Sequence, residues 1–472
     1  MTDHPEEACG VFGIYAPGED VARLTYFGLH ALQHRGQESA GIAVADGEST
    51  VVFKDMGLVP QVFDERKLAS LSGHVAIGHV RYSTTGSTRW ENAQPVHKTY
   101  PGGTIAVAHN GNLINTRELR GELPAPPRNG KASSDTDIIA SLVAAKADDD
   151  IESAVASVMH KLRGAYSVVI MTENKLVAAR DAYGIRPLCL GELRGNHVIA
   201  SETCALDIVG AKLVREVGPG EMLVIDENGL RSTQVLTPEK PSLCVFEFIY
   251  FARPDSYLLD CNVYAARKKM GVELAKESPV EADFVIGIPD SGTPAAIGYA
   301  EESGIPFTEG LIKNRYVGRT FIQPDQTLRR LGVKMKLNPL REIIAGKRLV
   351  VVDDSIVRGN TSKQIVALLK EAGATEVHMR ISSPPVVCPC YYGIDTDSDE
   401  QLIAANNSVG EIGKFLAADS LAYISMDGLM RAINNSNNEF CRACFDGRYP
   451  IPREREQEVR KLMLEEKVKV GG

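Results

Sequence analysis

Residues 350–362 read VVVDDSIVRGNTS: three apolar β-branched residues, two carboxylates, then a polar loop with one glycine that opens onto SKQIVALLKEA at 362–372. An unbroken β-branched run suits a strand covered on both faces, and the following apolar spacing suits an amphipathic helix. The same order of strand, polar loop and helix recurs at 284–288 with 294–302, and a further apolar run follows at 376–381. Alternation of this kind predicts an α/β unit built on a parallel sheet, in which ligands bind outside the carboxyl ends of the strands. Asp353 and Asp354 stand at such an end. The loop after them, with Ser355, Arg358, Gly359, Thr361 and Ser362, offers backbone N–H groups and a helix N-terminus to a phosphate. The bland alternative for so short a stretch is an Asp-Asp turn with a helix cap.

The half that precedes this unit is patterned differently. Short alternating runs at 9–15, 41–45, 75–82, 104–108, 165–171, 175–180 and 221–226, separated by Gly and Asn, predict antiparallel strands, with helices at 22–33 and 136–145. The fold expected there is α+β, with layered antiparallel sheets and helices. LTPEKP at 236–241 breaks any periodic element and sets the expected boundary at 238/239. The expected units are residues 1–8, 9–238 and 239–472, the last ending in a charged amphipathic helix.

The chain has 472 residues, 44% hydrophobic and 24% charged, which is ordinary for soluble proteins and long enough for two domains. With Lys+Arg 52 against Asp+Glu 61 the formal charge is −9, so no basic field favours nucleic acid or an anionic membrane. The acidic start lacks the pattern of a secretory signal, and no apolar run of about 18 residues follows. A cytoplasmic protein acting on small molecules is expected. Its nine cysteines are an odd, scattered set, which favours thiolate chemistry or metal ligation over disulfides.

Cys9 heads a strand, and only eight residues precede it. An N-terminal cysteine would carry its own base, because an α-amine with an unperturbed pKa of about 7.7–8.0 can take the thiol proton. Alone, a Cys-Gly near a terminus is more often a small buried hydrophobe. LQHRGQESAGI (32–42), GHVRYSTTG (78–86), AHNGNLIN (108–115) and SSDTD (133–137), in this order after CGVFGI, resemble the glutamine amidotransferases of the N-terminal-nucleophile type. The resemblance implies removal of Met1–Ala8, Cys9 as nucleophile, and Asn110 with Gly111 as the oxyanion hole. It also implies Arg81 for the glutamine α-carboxylate and Asp135 for its α-ammonium, with Arg35 and the Thr84–Thr85 pair shaping the pocket or bonding within the structure. Read in isolation, HNGN would be a turn with residues at positive φ.

In the second half, the 350–362 motif resembles the phosphoribosyl pyrophosphate (PRPP) site of phosphoribosyltransferases. That resemblance implies Asp353 and Asp354 at the ribose hydroxyls or a magnesium ion, and the 355–362 loop at the 5′-phosphate. IPDSGTPAA at 288–296 resembles the pyrophosphate-side loop, with Asp290, Ser291, Gly292 and Thr293 at the ligand and Ser291 near magnesium. KNRYVGRTFIQP at 313–324, with Lys313, Arg315, Gly318 and Arg319, resembles the loop that closes over PRPP. The union of the two halves implies glutamine-dependent transfer of ammonia to C1 of PRPP, by a homotetramer subject to feedback by purine nucleoside monophosphates. Amidotransferases that make glucosamine phosphate or asparagine carry no Asp353–Asp354 motif. A PRPP-sensing regulator without catalysis is the rival, and would need neither Cys9 nor the Arg81–Asp135 pair.

Cys441 and Cys444 form a C-x-x-C pair, by itself ambiguous between zinc, redox chemistry and cluster ligation. LCVFEFIYFARPDS (243–256), CPCYYGIDT (388–396) and FCRAC (440–444) resemble the iron–sulfur branch of the same family. This implies a 4Fe–4S cluster on Cys244, Cys390, Cys441 and Cys444, with Cys388 in reserve and zinc on the same thiolates as the alternative.

Overall fold

The computed structural model describes residues 9–82, 88–123, 134–147, 150–314, 337–394, 396, 399–433 and 440–452. The expectations for Met1–Ala8, Thr84, Thr85, Ser133, Arg315, Gly318, Arg319 and the tail after Pro452 lie outside these residues.

Two antiparallel sheets form the first half. One has seven strands in the order Lys212–Glu216, Cys189–Leu193, Asn196–Ala200, Gly10–Tyr15, Val75–Arg81, Ser39–Ala45, Thr50–Met56. The other has six, in the order Gly229–Gln234, Glu221–Asp226, Leu176–Arg180, Gly164–Met171, Gly103–Leu113, Val96–Tyr100. Side-chain alternation along a strand decides which layer each residue joins. Val11 and Tyr15 face the six-stranded sheet and pack with Ala106, Ala108, Val169 and Met171. Phe12 and Ile14 point the other way, into a cluster with Val21, Ala22 and Leu29 of the Val21–Ala31 helix. Asp20 starts that helix by accepting a hydrogen bond from the Arg23 N–H at 3.1 Å. Helices Asp135–Ala144 and Ile151–Met159 cover the outer face of the six-stranded sheet, so the half is a helix–sheet–sheet–helix sandwich.

The HNGN stretch differs from its turn reading. Asn110 and Gly111 lie inside the Gly103–Leu113 strand, paired with Ser167 and Tyr166. Gly111 has φ +144°, and a Cβ there would stand 2.1 Å from the Ala165 carbonyl oxygen, so the position accepts only glycine.

The second half holds a four-stranded parallel sheet in the order Phe284–Gly287, Arg348–Asp353, Glu376–Ile381, Ser420–Tyr423. The unbroken valine run has its physical reason here. Val350 and Val352 pack toward Ala295, Ala296 and Tyr299, while Leu349 and Val351 pack toward Ile365, Val366 and Leu369. Helices Val263–Glu277 and Thr293–Ser303 lie on the first face and helix Asn360–Glu371 on the second. The expected boundary at 238/239 falls between the Gly229–Gln234 strand and the Leu243–Cys244 strand. One apolar cluster runs from Ile139 and Val143 through Phe246 and Phe248 to Tyr299 and Val352, so the halves share a core. Among the described residues no helix is long and apolar enough to cross a membrane.

Candidate active site

Cys9 stands immediately ahead of the Gly10–Tyr15 strand, which pairs with Val75–Arg81 and so brings the thiol beside Arg81 and Tyr82. It is 5% exposed, and its Sγ donates to the Tyr82 carbonyl at 3.3 Å. Burial pushes the thiol up to about 12; Arg81 and Arg35 oppose the shift, and Asp135 and Glu38 add to it. A thiol in this setting does not ionise unaided at neutral pH.

Asp135 occupies the first turn of the Asp135–Ala144 helix, where Ser134 caps the N-terminus through the Asp137 N–H. A carboxylate is favoured there by the unpaired amides of the first turn. Burial raises its pKa, but His109 beside it at 3.6 Å and hydrogen bonds from the Leu113 and Thr136 N–H groups hold it below the usual value. Arg81 is buried and lies 3.6 Å from Glu38, so the thiol has two cations, Arg81 and Arg35, and two anions, Asp135 and Glu38, around it. Asn110 is fully buried, and among the described residues neither its side-chain oxygen nor its nitrogen has a hydrogen-bond partner. A buried amide left unsatisfied costs roughly 1–3 kcal/mol, which a water or a ligand at this position relieves. Its neighbour His109 accepts, through its carbonyl, a bond from His79 Nε2 at 3.0 Å. Burial drives His79 down to about 3, so this ring is neutral and its Nε2 carries the proton.

Arg35 is committed within the protein. Its Nε donates to the Cys9 carbonyl at 3.0 Å, its two terminal nitrogens bind Glu247 at 2.9 and 2.8 Å, and Nη1 also donates to Glu202. Glu38, Glu202, Glu247 and Arg186 were not singled out by the sequence reading. Glu38 lies within the motif that contains Arg35, and Glu247 within the segment around Cys244, but their partners lie 43 to 212 positions away.

In the second half, Gly287 pairs with Val352, so the loops following the two strands emerge side by side at their carboxyl ends. Asp353 and Asp354 are fully buried. Asp353 accepts from the Asp354 N–H at 2.9 Å, and Asp354 accepts from Ser355 and, across the two loops, from Ser291. Lys313 reaches Asp290 in the same loop as Ser291. Gly292 is required by close approach, since a Cβ would stand 2.4 Å from the Val352 oxygen. Thr293 then opens its helix, and Gly359, at φ +80°, leads into Asn360–Glu371, which buries Ser362. Arg358 bonds to Gln401, and Thr361 is half-buried beside it on the helix.

Cys244 and Cys441 are direct partners in a short parallel pairing. Cys444 is buried with them, and its thiol is pushed well up, first by burial and then by Cys244, Cys441 and Cys390. Cys390 therefore belongs with the other three. Cys388 is raised by burial and by Asp399 and Asp446, and its backbone N–H donates to the Cys444 carbonyl at 3.0 Å. Among the described residues no three His, Cys, Asp or Glu side chains converge on a single-ion site.

A buried thiol flanked by Arg81 and Asp135, and paired loops at the carboxyl end of a parallel sheet, are arrangements that the class of glutamine-dependent phosphoribosyltransferases requires. A glutamine amidotransferase domain model matches residues 79–207, and a phosphoribosyl transferase domain model matches residues 262–382. The chain is 55% identical to the amidophosphoribosyltransferase of Mycobacterium bovis, over 98% of this chain and 90% of that one. It is 50% identical to that of Bacillus subtilis over 94% of each. The solved glutamine PRPP amidotransferase of B. subtilis, complexed with ADP and GMP, matches with a TM-score of 0.89 at 48% identity, covering 96% of this chain and 99% of that one. A structure described as the allosteric regulatory enzyme of purine biosynthesis matches with a TM-score of 0.90 at 48% identity, covering 96% and 98%. The chain belongs to the amidophosphoribosyltransferase family. It transfers ammonia released from glutamine to C1 of PRPP, giving 5-phosphoribosylamine, glutamate and pyrophosphate in purine biosynthesis.

Proposed function

We propose that residues 9–238 form the glutaminase and 239–472 the phosphoribosyltransferase, with Cys9 as nucleophile once Met1–Ala8 are removed. The observation that carries this reading is the fully buried amide of Asn110, without a hydrogen-bond partner among the described residues, together with the Arg81, Asp135 and Glu38 charges around the Cys9 thiol. The freed α-amine takes the Cys9 proton, and the thiolate attacks the glutamine amide carbon. Asn110 Nδ2 and the Gly111 N–H receive the developing oxyanion, ammonia leaves, and water releases glutamate from the thioester. Arg81 holds the α-carboxylate and Asp135 the α-ammonium, each opposite in charge to its partner. Arg35 acts through the Cys9 carbonyl.

Ammonia then attacks C1 of PRPP as pyrophosphate departs. Asp353 and Asp354 bind the ribose hydroxyls, Ser355, Arg358, Gly359, Thr361 and Ser362 form the 5′-phosphate loop, and Asp290, Ser291, Gly292, Thr293 and Lys313 bind the pyrophosphate. Magnesium suits Ser291, Asp353 and Asp354, because this ion keeps several waters and shares one or two carboxylates with substrate phosphates. Bound there, the ion would supply positive charge opposite the pyrophosphate.

Three buried thiols, Cys244, Cys441 and Cys444, each pushed up by burial and by the half-buried Cys390 beside them, suit a 4Fe–4S cluster on Cys244, Cys390, Cys441 and Cys444, since ligation as thiolates removes the penalty. A cubane spreads its ligands farther apart than a single ion does, which fits the absence of a single-ion site among the described residues. The residues suit a structural role.

A purine nucleoside monophosphate shares the ribose 5-phosphate of PRPP, so the 355–362 loop should accept both, and the B. subtilis relative was solved with GMP and ADP. We place the protein in the cytoplasm as a homotetramer. Equal release of glutamate and pyrophosphate from glutamine and PRPP is expected. PRPP binding with neither product would favour the regulatory rival.

A further inference from the structure

Glu247 lies in the phosphoribosyltransferase half and is wholly buried, at the first position of a π-helical turn, Glu247–Phe251. Single π turns occur often at functional sites. Its carboxylate binds two guanidiniums from the other half: Arg35 through both oxygens, and Arg186 at 3.4 Å. Each arginine carries that contact onward to a different part of the glutaminase. Arg35 Nε donates to the Cys9 carbonyl at 3.0 Å. Arg186 donates through Nε and Nη2 to the Tyr392 carbonyl at 3.0 and 2.8 Å. The Tyr391–Gly393 turn rests against the oxyanion strand: Asn112 Nδ2 donates to the Tyr391 carbonyl at 2.9 Å, and a Cβ on Gly393 would stand 3.3 Å from the Gly111 carbonyl carbon.

We infer that Glu247 is a positioning residue for the glutaminase, holding the nucleophile through Arg35 and the oxyanion glycine through Arg186. This rests on the assignment of Cys9 and Gly111 above. The physical need is plain. A residue that begins the mature chain has no preceding peptide to fix it, so its carbonyl bond and strand pairing set the direction of Sγ. The oxyanion N–H must stand in register with that Sγ, and a misplacement of about 1 Å can cost on the order of 100-fold in rate. One carboxylate held by two rigid guanidinium forks ties both parts to a single point.

The test is Glu247→Gln in the mature, full-length enzyme, with glutamine-dependent and ammonia-dependent synthesis measured on the same sample. Glutamine-dependent kcat should fall roughly 10- to 100-fold. The glutamine KM should change by less than about 3-fold because Arg81 and Asp135 are untouched, and ammonia-dependent synthesis should stay within about 2-fold. Glu247→Asp, which keeps the charge, should recover part of the loss. Arg186→Lys keeps the charge but not the fork to Tyr392, and should show the same split if Glu247→Gln does not accumulate as folded protein. Parallel loss of both activities in both variants, or unchanged glutamine-dependent kcat in Glu247→Gln, overturns the inference. Cys9→Ala run alongside separates the two levels: if it keeps glutamine-dependent activity, the nucleophile assignment is what fails.

Discussion

The Sγ of Cys9 donates its proton to the main-chain oxygen of Tyr82 at 3.3 Å, and a thiolate could not make that bond. With burial pushing the thiol up to about 12, the protonated form dominates throughout the physiological range. The proton must leave to a base. If that base is the freed α-amine, glutamine-dependent kcat/KM rises with pH through an apparent pKa of about 7.7–8.0 and shows no second rise before the thiol's own range. Intact mass of the same sample should begin at Cys9, and a fully active enzyme that retains Met1 would exclude the amine as base.

Asn110→Ala removes one oxyanion donor and leaves the amino-acid clamp in place. Glutamine-dependent kcat should drop by about 100- to 1000-fold, with ammonia-dependent synthesis retained. A glutamine KM effect with unchanged kcat would instead make Asn110 a binding group.

Asp353→Ala and Asp354→Ala should depress both the glutamine and the ammonia reactions, because both need PRPP. Asp354 also accepts from Ser291 and Ser355, so its replacement should loosen the pyrophosphate loop as well and raise the PRPP KM further. Calorimetric PRPP titration of either variant with unchanged affinity would remove these carboxylates from the ligand.

How much of this could be read in advance varies with the kind of interaction. The Arg348–Asp353 strand was legible because both of its faces are buried, and a doubly covered strand must be apolar throughout. Among the strands missed, Cys189–Leu193 and Asn196–Ala200 lie inside their sheet, while Thr50–Met56, Lys212–Glu216, Val96–Tyr100 and Gly229–Gln234 are edge strands with mixed or exposed side chains. Polar residues there keep the unpaired edge from recruiting another strand, and that erases the apolar signal. The motif residues Cys9, Arg81, Asp135, Asp353 and Asp354 were each named from sequence. Glu247 and Arg186 were not, because an ion pair closed over 61 or 212 positions leaves no local spacing. HNGN taken in isolation reads as a turn because Asn-Gly ordinarily is one; pairing with Gly164–Met171 holds it in a strand, with Gly111 still at positive φ.

The cysteine group gives a prediction with its own control. Protein purified without oxygen should be brown and contain iron and sulfide, and Cys444→Ser should lose both. Cys388→Ser should keep them, since its thiol answers to Asp399 and Asp446 and not to the other four. Stoichiometric zinc with no sulfide would assign the thiolates to that metal.

The division of the reaction between Cys9 and the Asp353–Asp354 loop is tested most directly by Cys9→Ala, assayed for pyrophosphate release with glutamine and then with ammonia. Synthesis from glutamine should vanish, and synthesis from ammonia should continue at a rate close to that of the unaltered enzyme. Loss of the ammonia reaction as well, in protein that remains folded, would contradict two separable sites.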